Sequence, residues 1–301
     1  MTGVQTCALP ISNRVFAGED ADARNAKALK AAAALRAELV HPIGGGFGAL
    51  LPVATMVAGI SVRTLMPGLS EVMLVAGIAV QVAYAGWFVG RAWTGGRPAE
   101  TVTPALYLPS VGGFFVSAMA AAALGFGEAG VMAFGAGIVS WIVIEAVLWQ
   151  RLLLQPPLPP AMRSSMGIHL APPAVGLVAW EAVGGGGVDT VGLMLFGYAL
   201  FQALVTLGLL PWLVRQPFSA TWWAYSFAVT ALPTGAMRLA EGGSPIASLL
   251  APALFLAANL ILAGLIVRSA MALAQGSYLP PAPVSAPDPR SEEHTSELQS
   301  H

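Results

Sequence analysis

Three ionisable side chains fall inside long apolar runs and set what chemistry this chain can perform. Glu145 sits in "SWIVIEAVLWQRL", His169 in "MGIHLAPPAVGLVAW" and Arg238 in "TALPTGAMRL". A carboxylate in such a setting either bonds to a neighbouring helix or carries a proton. An imidazole titrates near neutral pH, or sits packed or facing water. A guanidinium near the end of a run snorkels outward or attracts an anion. Nothing else looks catalytic. H-E-x-x-H, G-x-S-x-G and Walker patterns are absent. Gly44, Gly45 and Gly46 lie within an apolar run rather than after a strand, so they are no dinucleotide loop. The single cysteine, Cys7, lies in the first few residues, and His41 and His169 are the only histidines between the two ends. Thiolate metal sites, structural disulfides and clustered metal ligands are therefore not expected, nor is a cofactor or an enzyme.

The elements that must hold these residues are membrane helices. Only 10% of the chain is charged and 56% is hydrophobic, with a mean hydropathy of +0.72. So little polar surface cannot cover a globule in water, and spanning helices need ~20 apolar residues each. Eight apolar segments are long enough: 42–62, 71–93, 103–124, 129–151, 161–183, 190–214, 221–240 and 246–274. None has the short alternating pattern of barrel strands. The connectors carry turn chemistry, as in "TGGRPAE" and "QPPLPP". Lysine and arginine place 11 charges on one side of these spans and 2, Arg63 and Arg238, on the other. The positive side is cytoplasmic, so both termini are expected there. The net charge of -1 and the lack of a basic run give no reason to expect nucleic acid. After Gln275 a proline-rich stretch is expected to stay extended and disordered.

Alternate spans differ in kind. The odd spans carry Pro52, Pro109, Pro172 and Pro233, spaced by 57, 63 and 61 residues, amid runs of small residues. That is one helical hairpin per repeat, a common transporter construction. A proline inside a span frees a carbonyl that must face protein or water. Small residues also permit close helix packing without any pathway. The recurrence of the proline favours an inner set of kinked spans around a narrow path, with bulkier even spans facing lipid.

The segments "TPALYLPSVGGFFVSAMAAAALGF", "FGAGIVSWIVIEAVLWQRL", "MGIHLAPPAVGLVAW", "DTVGLMLFGYALFQALVTLGLLPWL" and "WWAYSFAVTALPTGAMRL" resemble, in order, the tellurite-resistance and dicarboxylate transporter family, which includes bacterial TehA-like proteins and the plant slow-type anion channels. The resemblance covers about residues 38–276. It implies an all-α fold of tandem hairpins in a quasi-five-fold ring of ten helices around a central pore, with protomers forming a homotrimer. It also implies a multi-pass protein of the bacterial inner membrane, acting on small inorganic or organic anions. In this family a phenylalanine on the ninth helix plugs the pore. The matching residue here is Phe227. By the same resemblance Gly45, Phe47, Pro52, Pro109, Gly113, Phe114, Pro172 and Pro233 would line or kink the pore. A phenyl ring in an apolar path would block water and ions by bulk and dewetting. Large, weakly hydrated monovalent anions would then pass most easily. The alternative is an exporter of four-carbon dicarboxylates or of tellurite; in its proton-coupled form Glu145 or His169 would serve as the coupling group.

About eight of the family's ten helices are present. Residues 13–40 are too charged to span and read as a cytoplasmic remnant of a first hairpin, followed by a transmembrane domain at 41–276 and a tail at 277–289. The ends differ from all of this. Written back into codons, "MTGVQTCALPIS" and "RSEEHTSELQSH" are opposite strands of one DNA string, a common sequencing-library adapter. Residues 1–12 and 290–301 are therefore expected to be translated adapter. Cys7, His294 and His301 then carry no function.

Overall fold

The computed structural model describes residues 21–184 and 187–278. The adapter-like ends, and the tail from residue 279, lie outside the described residues. Among the described residues every regular element is helical. Helix α1 (Ala21–Val40) is alanine-rich, the best helix-forming composition, and largely exposed. The rest is α2 (Gly44–Phe47), α3 (Leu50–Val62), α4 (Pro67–Trp93), α5 (Gly113–Ala123), α6 (Gly127–Leu154), α7 (Ala171–Val183), α8 (Thr190–Leu213), α9 (Ala224–Glu241) and α10 (Pro245–Ala274). Several starts are written in the sequence. Pro67 and Pro245 open α4 and α10, where a missing N–H costs nothing. Asp189 caps α8, its Oδ1 accepting from the Gly192 N–H at 2.8 Å.

Among the described residues seven helical stretches are long and apolar enough to cross a membrane, so this is a multi-pass, all-α membrane protein. Eight were expected from the sequence. The eighth, at 221–240, is helical as α9, but Ser226, Thr230, Thr234, Arg238 and Glu241 make it too polar to meet that standard.

The helices pack as hairpins, α3 with α4, α5 with α6, α7 with α8 and α9 with α10. The first members also pack on one another in sequence, α3 on α5, α5 on α7 and α7 on α9. Burial separates the two sets. Two-thirds (67%) of each central inner span, Pro104–Ala123 and Met162–Val183, is buried within the chain. The outer spans Gly127–Leu154, Thr190–Leu213 and Pro245–Ala274 bury 22%, 22% and 17%. The first span, Gly44–Val62, is intermediate at 33% and packs against α4 and α5.

The prolines fall in the middle or first half of their spans, as expected, but in different helical settings. Only Pro233 lies inside its α-helix. Pro52 is in the first turn of α3, and Pro172 is in the first turn of α7, after a 3₁₀ stretch at Pro160–Leu170. Pro109 sits in a π-turn, Leu108–Gly112, that leads into α5. Proline is tolerated in a first turn because that N–H has no helical partner. These three prolines mark where irregular lead-ins become α-helix. Prolines are also not confined to inner helices, since Pro211 and Pro252 lie inside α8 and α10.

Small residues let the inner row close up. A Cβ at Gly235 of α9 would lie 2.3 Å from the Leu177 side chain of α7. One at Gly113 of α5 would lie 2.0 Å from the Gln81 amide of α4. The Gln81 amide in turn donates to the Pro109 carbonyl at 2.7 Å, satisfying a carbonyl within the π-turn. Phe115 anchors the core beneath, its ring 5.5 Å from Phe134, which stacks on toward Trp180 at 5.3 Å.

Candidate functional site: a tied carboxylate and an open helix face

Glu145 is the hub of a polar cluster. Trp141, Glu145 and Trp149 are spaced four apart and share one face of α6. Glu145 Oε2 accepts from the Trp141 indole N–H at 2.9 Å and from the Tyr107 hydroxyl. Its Oε1 accepts from the Trp149 indole at 2.9 Å, the Tyr198 hydroxyl at 2.8 Å and the Gln202 amide at 3.2 Å. Tyr198 and Gln202 are again one turn apart, on α8. His169 Nε2 lies 3.4 Å from Glu145 Oε1, and His169 Nδ1 lies 3.3 Å from the Tyr107 hydroxyl. The structure thus brings together the Glu145 and His169 that the sequence singled out separately. It adds Tyr107, Trp141, Trp149, Tyr198 and Gln202.

A carboxylate offers about four lone-pair directions. Five donors and an imidazole edge fill them. With its acceptor positions filled, the carboxylate ties together the elements around it. It joins four elements, α6, α8, the turn before α5 and the 3₁₀ stretch before α7. On its outer side a groove of about 410 Å³, lined by Trp141, Ile142, Ala146, Trp149 and Tyr198, runs past the carboxylate.

The second feature is the open face of α9. Tyr225, Ala228, Leu232, Gly235, Ala236 and Leu239 are buried toward the packed side. Phe227, Thr230, Arg238 and Glu241 are exposed, and Thr234 is half-buried. Their spacings of three and four residues put them on one stripe. Phe227 is 36% exposed. The threonine hydroxyls are satisfied within the helix, Thr230 Oγ1 donating to the Ser226 carbonyl at 2.9 Å and Thr234 Oγ1 to that of Thr230 at 2.8 Å. Arg238 stands at its far end, within electrostatic reach of Glu181.

The other residues singled out by the sequence are dispersed. Gly45 is buried and its carbonyl accepts from the Tyr84 hydroxyl. Phe47 is half-buried against the core, and Phe114 is half-buried. Pro52, Pro109, Pro172 and Pro233 are buried. Gly113 is accounted for by its contact with Gln81. Among the described residues no group of three His, Cys, Asp or Glu side chains is placed to hold a metal ion.

Outside the spans, Asp189 joins two elements. Its Oδ2 accepts from the Trp180 indole at 2.7 Å. Burial alone would raise its pKa, but the donors Gly192, Trp180 and Val191 outweigh that and hold the carboxyl below its usual range.

Known proteins match this chain over 42% to 69% of its length. The family model described as SLAC1, voltage-dependent anion channel, matches residues 25–270. The tellurite resistance protein TehA homolog of Haemophilus influenzae is 33% identical over 209 residues, 69% of this chain and 63% of that protein. The S-type anion channel SLAH1 of Arabidopsis thaliana is 32% identical over 187 residues, 61% of this chain and 48% of that protein. SLAH4 of the same plant is 33% identical over 129 residues, 42% of this chain and 35% of that protein. The chain thus spans from about a third to under two-thirds of the length of these relatives. With a hairpin fold of buried inner and exposed outer helices, and a family match over residues 25–270, this chain belongs to the voltage-dependent anion channel family.

Proposed function

We propose that this chain is a passive, gated pathway for small anions, running along the inner helices and closed by Phe227. The observation that carries the reading is the stripe on α9. One inner helix, α9, carries a stripe on which Phe227, Thr230 and Arg238 are exposed and Thr234 is half-buried. Polar side chains at membrane depth face protein or water. Threonines that satisfy their own hydroxyls offer a smooth wetted wall, and no lysine or arginine binds an ion tightly midway. Family membership supports anions as the cargo, as do the names of the relatives. The reading includes a homotrimer in a bacterial inner membrane with both termini in the cytoplasm, consistent with the 11-to-2 arrangement of basic residues.

A proton-coupled carrier of organic anions is the competing reading, and the Glu145–His169 contact is what favours it. That contact lies in a saturated cluster joining α6, α8, the turn before α5 and the 3₁₀ stretch before α7, and none of its residues is on α9. Reconstituting the full chain in planar bilayers under opposed anion and pH gradients separates the two. A passive pathway gives a reversal potential that follows the anion gradient alone. A reversal potential that moves with the pH gradient at fixed anion gradient overturns it.

A further inference from the structure

Two arginines near the end of α4 have no assigned role in the pathway. Arg36 of α1 and Arg91 of α4 both line a cavity of about 280 Å³ between those helices. The remaining walls are Ala32, Leu35, Leu39, Val40 and Trp87. No acidic residue lines it. Among the described residues neither arginine pairs with a carboxylate, and Arg91 instead lies 5.5 Å over the Trp87 ring. The nearest acid on α1, Glu38, turns toward Gly44. Arg97, close by in sequence, is engaged differently, donating to the Pro42 carbonyl at 2.6 Å and lying over Phe88.

The position matters as much as the charge. Trp87 and Arg91 belong to the last two turns of the span Pro67–Trp93, where a membrane helix leaves the bilayer. Leu35, Val40 and Trp87 are exposed at 48%, 39% and 40%, an apolar rim beside two cations. Guanidinium forks match phosphate oxygens, and basic pockets at the ends of membrane helices are suited to anionic headgroups. A free inorganic anion would use the arginines but not the rim.

We propose that the cavity between α1 and α4 binds one anionic phospholipid, with the headgroup phosphate between Arg36 and Arg91 and the acyl chain along Leu35, Val40 and Trp87. The bound lipid would fasten α1 to the membrane surface. The site is independent of the transport reading, because none of its residues belongs to the α9 stripe or the Glu145 cluster.

The test uses the full chain, purified in detergent, delipidated and examined by native mass spectrometry with added phosphatidylglycerol or phosphatidylcholine. Phosphatidylglycerol is expected to be retained several-fold more than phosphatidylcholine. The preference should vanish in the Arg36→Gln/Arg91→Gln double variant and persist in Arg63→Gln, a control at the other end of the spans. Both target arginines are exposed, and circular dichroism checks that helicity is kept. Leu35→Ser/Val40→Ser should lower phosphatidylglycerol retention with the charges intact. Equal retention of the two lipids by the unmodified chain overturns the proposal, as does an unchanged preference in the arginine double variant. Unchanged retention in the leucine–valine variant, with displacement by inorganic phosphate, assigns the site to free phosphate and overturns the lipid.

Discussion

The Glu145 cluster and the α9 stripe put polar groups at membrane depth in opposite ways. Around Glu145 every lone pair is taken, by Tyr107, Trp141, Trp149, Tyr198 and Gln202, with His169 beside them. On α9 the hydroxyls turn back to their own helix and leave the face uncovered. One arrangement spends its polarity on joining elements, and the other leaves it for whatever passes. A charge in a membrane protein is a default candidate for function, yet here the more conspicuous charge is the better tied. That difference is why we assign the pathway to α9 and the scaffold to Glu145.

Substitutions that break the contrast should differ in kind as well as size. Phe227→Ala is expected to have the largest effect on transport, raising anion conductance several-fold in bilayer recordings while thermal stability stays close to that of the unmodified chain. Glu145→Ala should do the reverse. It removes five hydrogen bonds, each worth ~0.6 kcal/mol in a membrane protein, or about 3 kcal/mol together. A clear drop in detergent melting temperature, with ion selectivity unaltered in any protein that still folds, is the expected result. Gly113→Ala forces the Gln81 amide off the Pro109 carbonyl and should cost about 1–3 kcal/mol by the same measurement.

Smaller effects sharpen the picture at the far end of the spans. Asp189→Ala removes the cap of α8 and should cost about 1 kcal/mol. Because the folded-state pKa of Asp189 is depressed, its contribution is present above the ordinary aspartate pKa and is lost as pH falls through the depressed value. The difference in melting temperature between Asp189→Ala and the unmodified chain should therefore shrink on acidification. Arg238→Gln should reduce anion current modestly at low salt and scarcely at high salt, where the field of an exposed charge is screened.

Much of the scaffold was legible in the sequence, because apolar length decides what can cross a bilayer. Seven spans emerge near their expected bounds, as with 190–214 and Thr190–Leu213. The residues that make α9 interesting are also those that lower its hydropathy, so the one expected span that is too polar to meet the membrane-crossing measure is the one read as the pathway. The proline period was real and puts Pro52, Pro109 and Pro172 in the middle or first half of their spans, but whether each lies within α-helix or where an irregular lead-in becomes α-helix does not show in the sequence. The glycines of the inner row likewise resolve into contacts, such as Gly235 with Leu177, that only packing reveals. The Glu145 cluster was half visible. Trp141 and Trp149 flank Glu145 at four-residue steps, and Tyr198 and Gln202 repeat that step on the next outer helix. Tyr107 and His169 reach it through long-range packing that no spacing foretells.

Substituted-cysteine accessibility tests the division between the open face and the tied one most directly. With Cys7 replaced by serine, single cysteines at Thr230 and Thr234 are exposed to a membrane-impermeant thiol reagent during current recording, alongside Ala228 and Ala236 from the buried face of α9. The account predicts that the two threonine positions react and that modification blocks anion current, while the two alanine positions remain unmodified. Unreactive cysteines at both threonine positions, or modification there that leaves the current untouched, would contradict it.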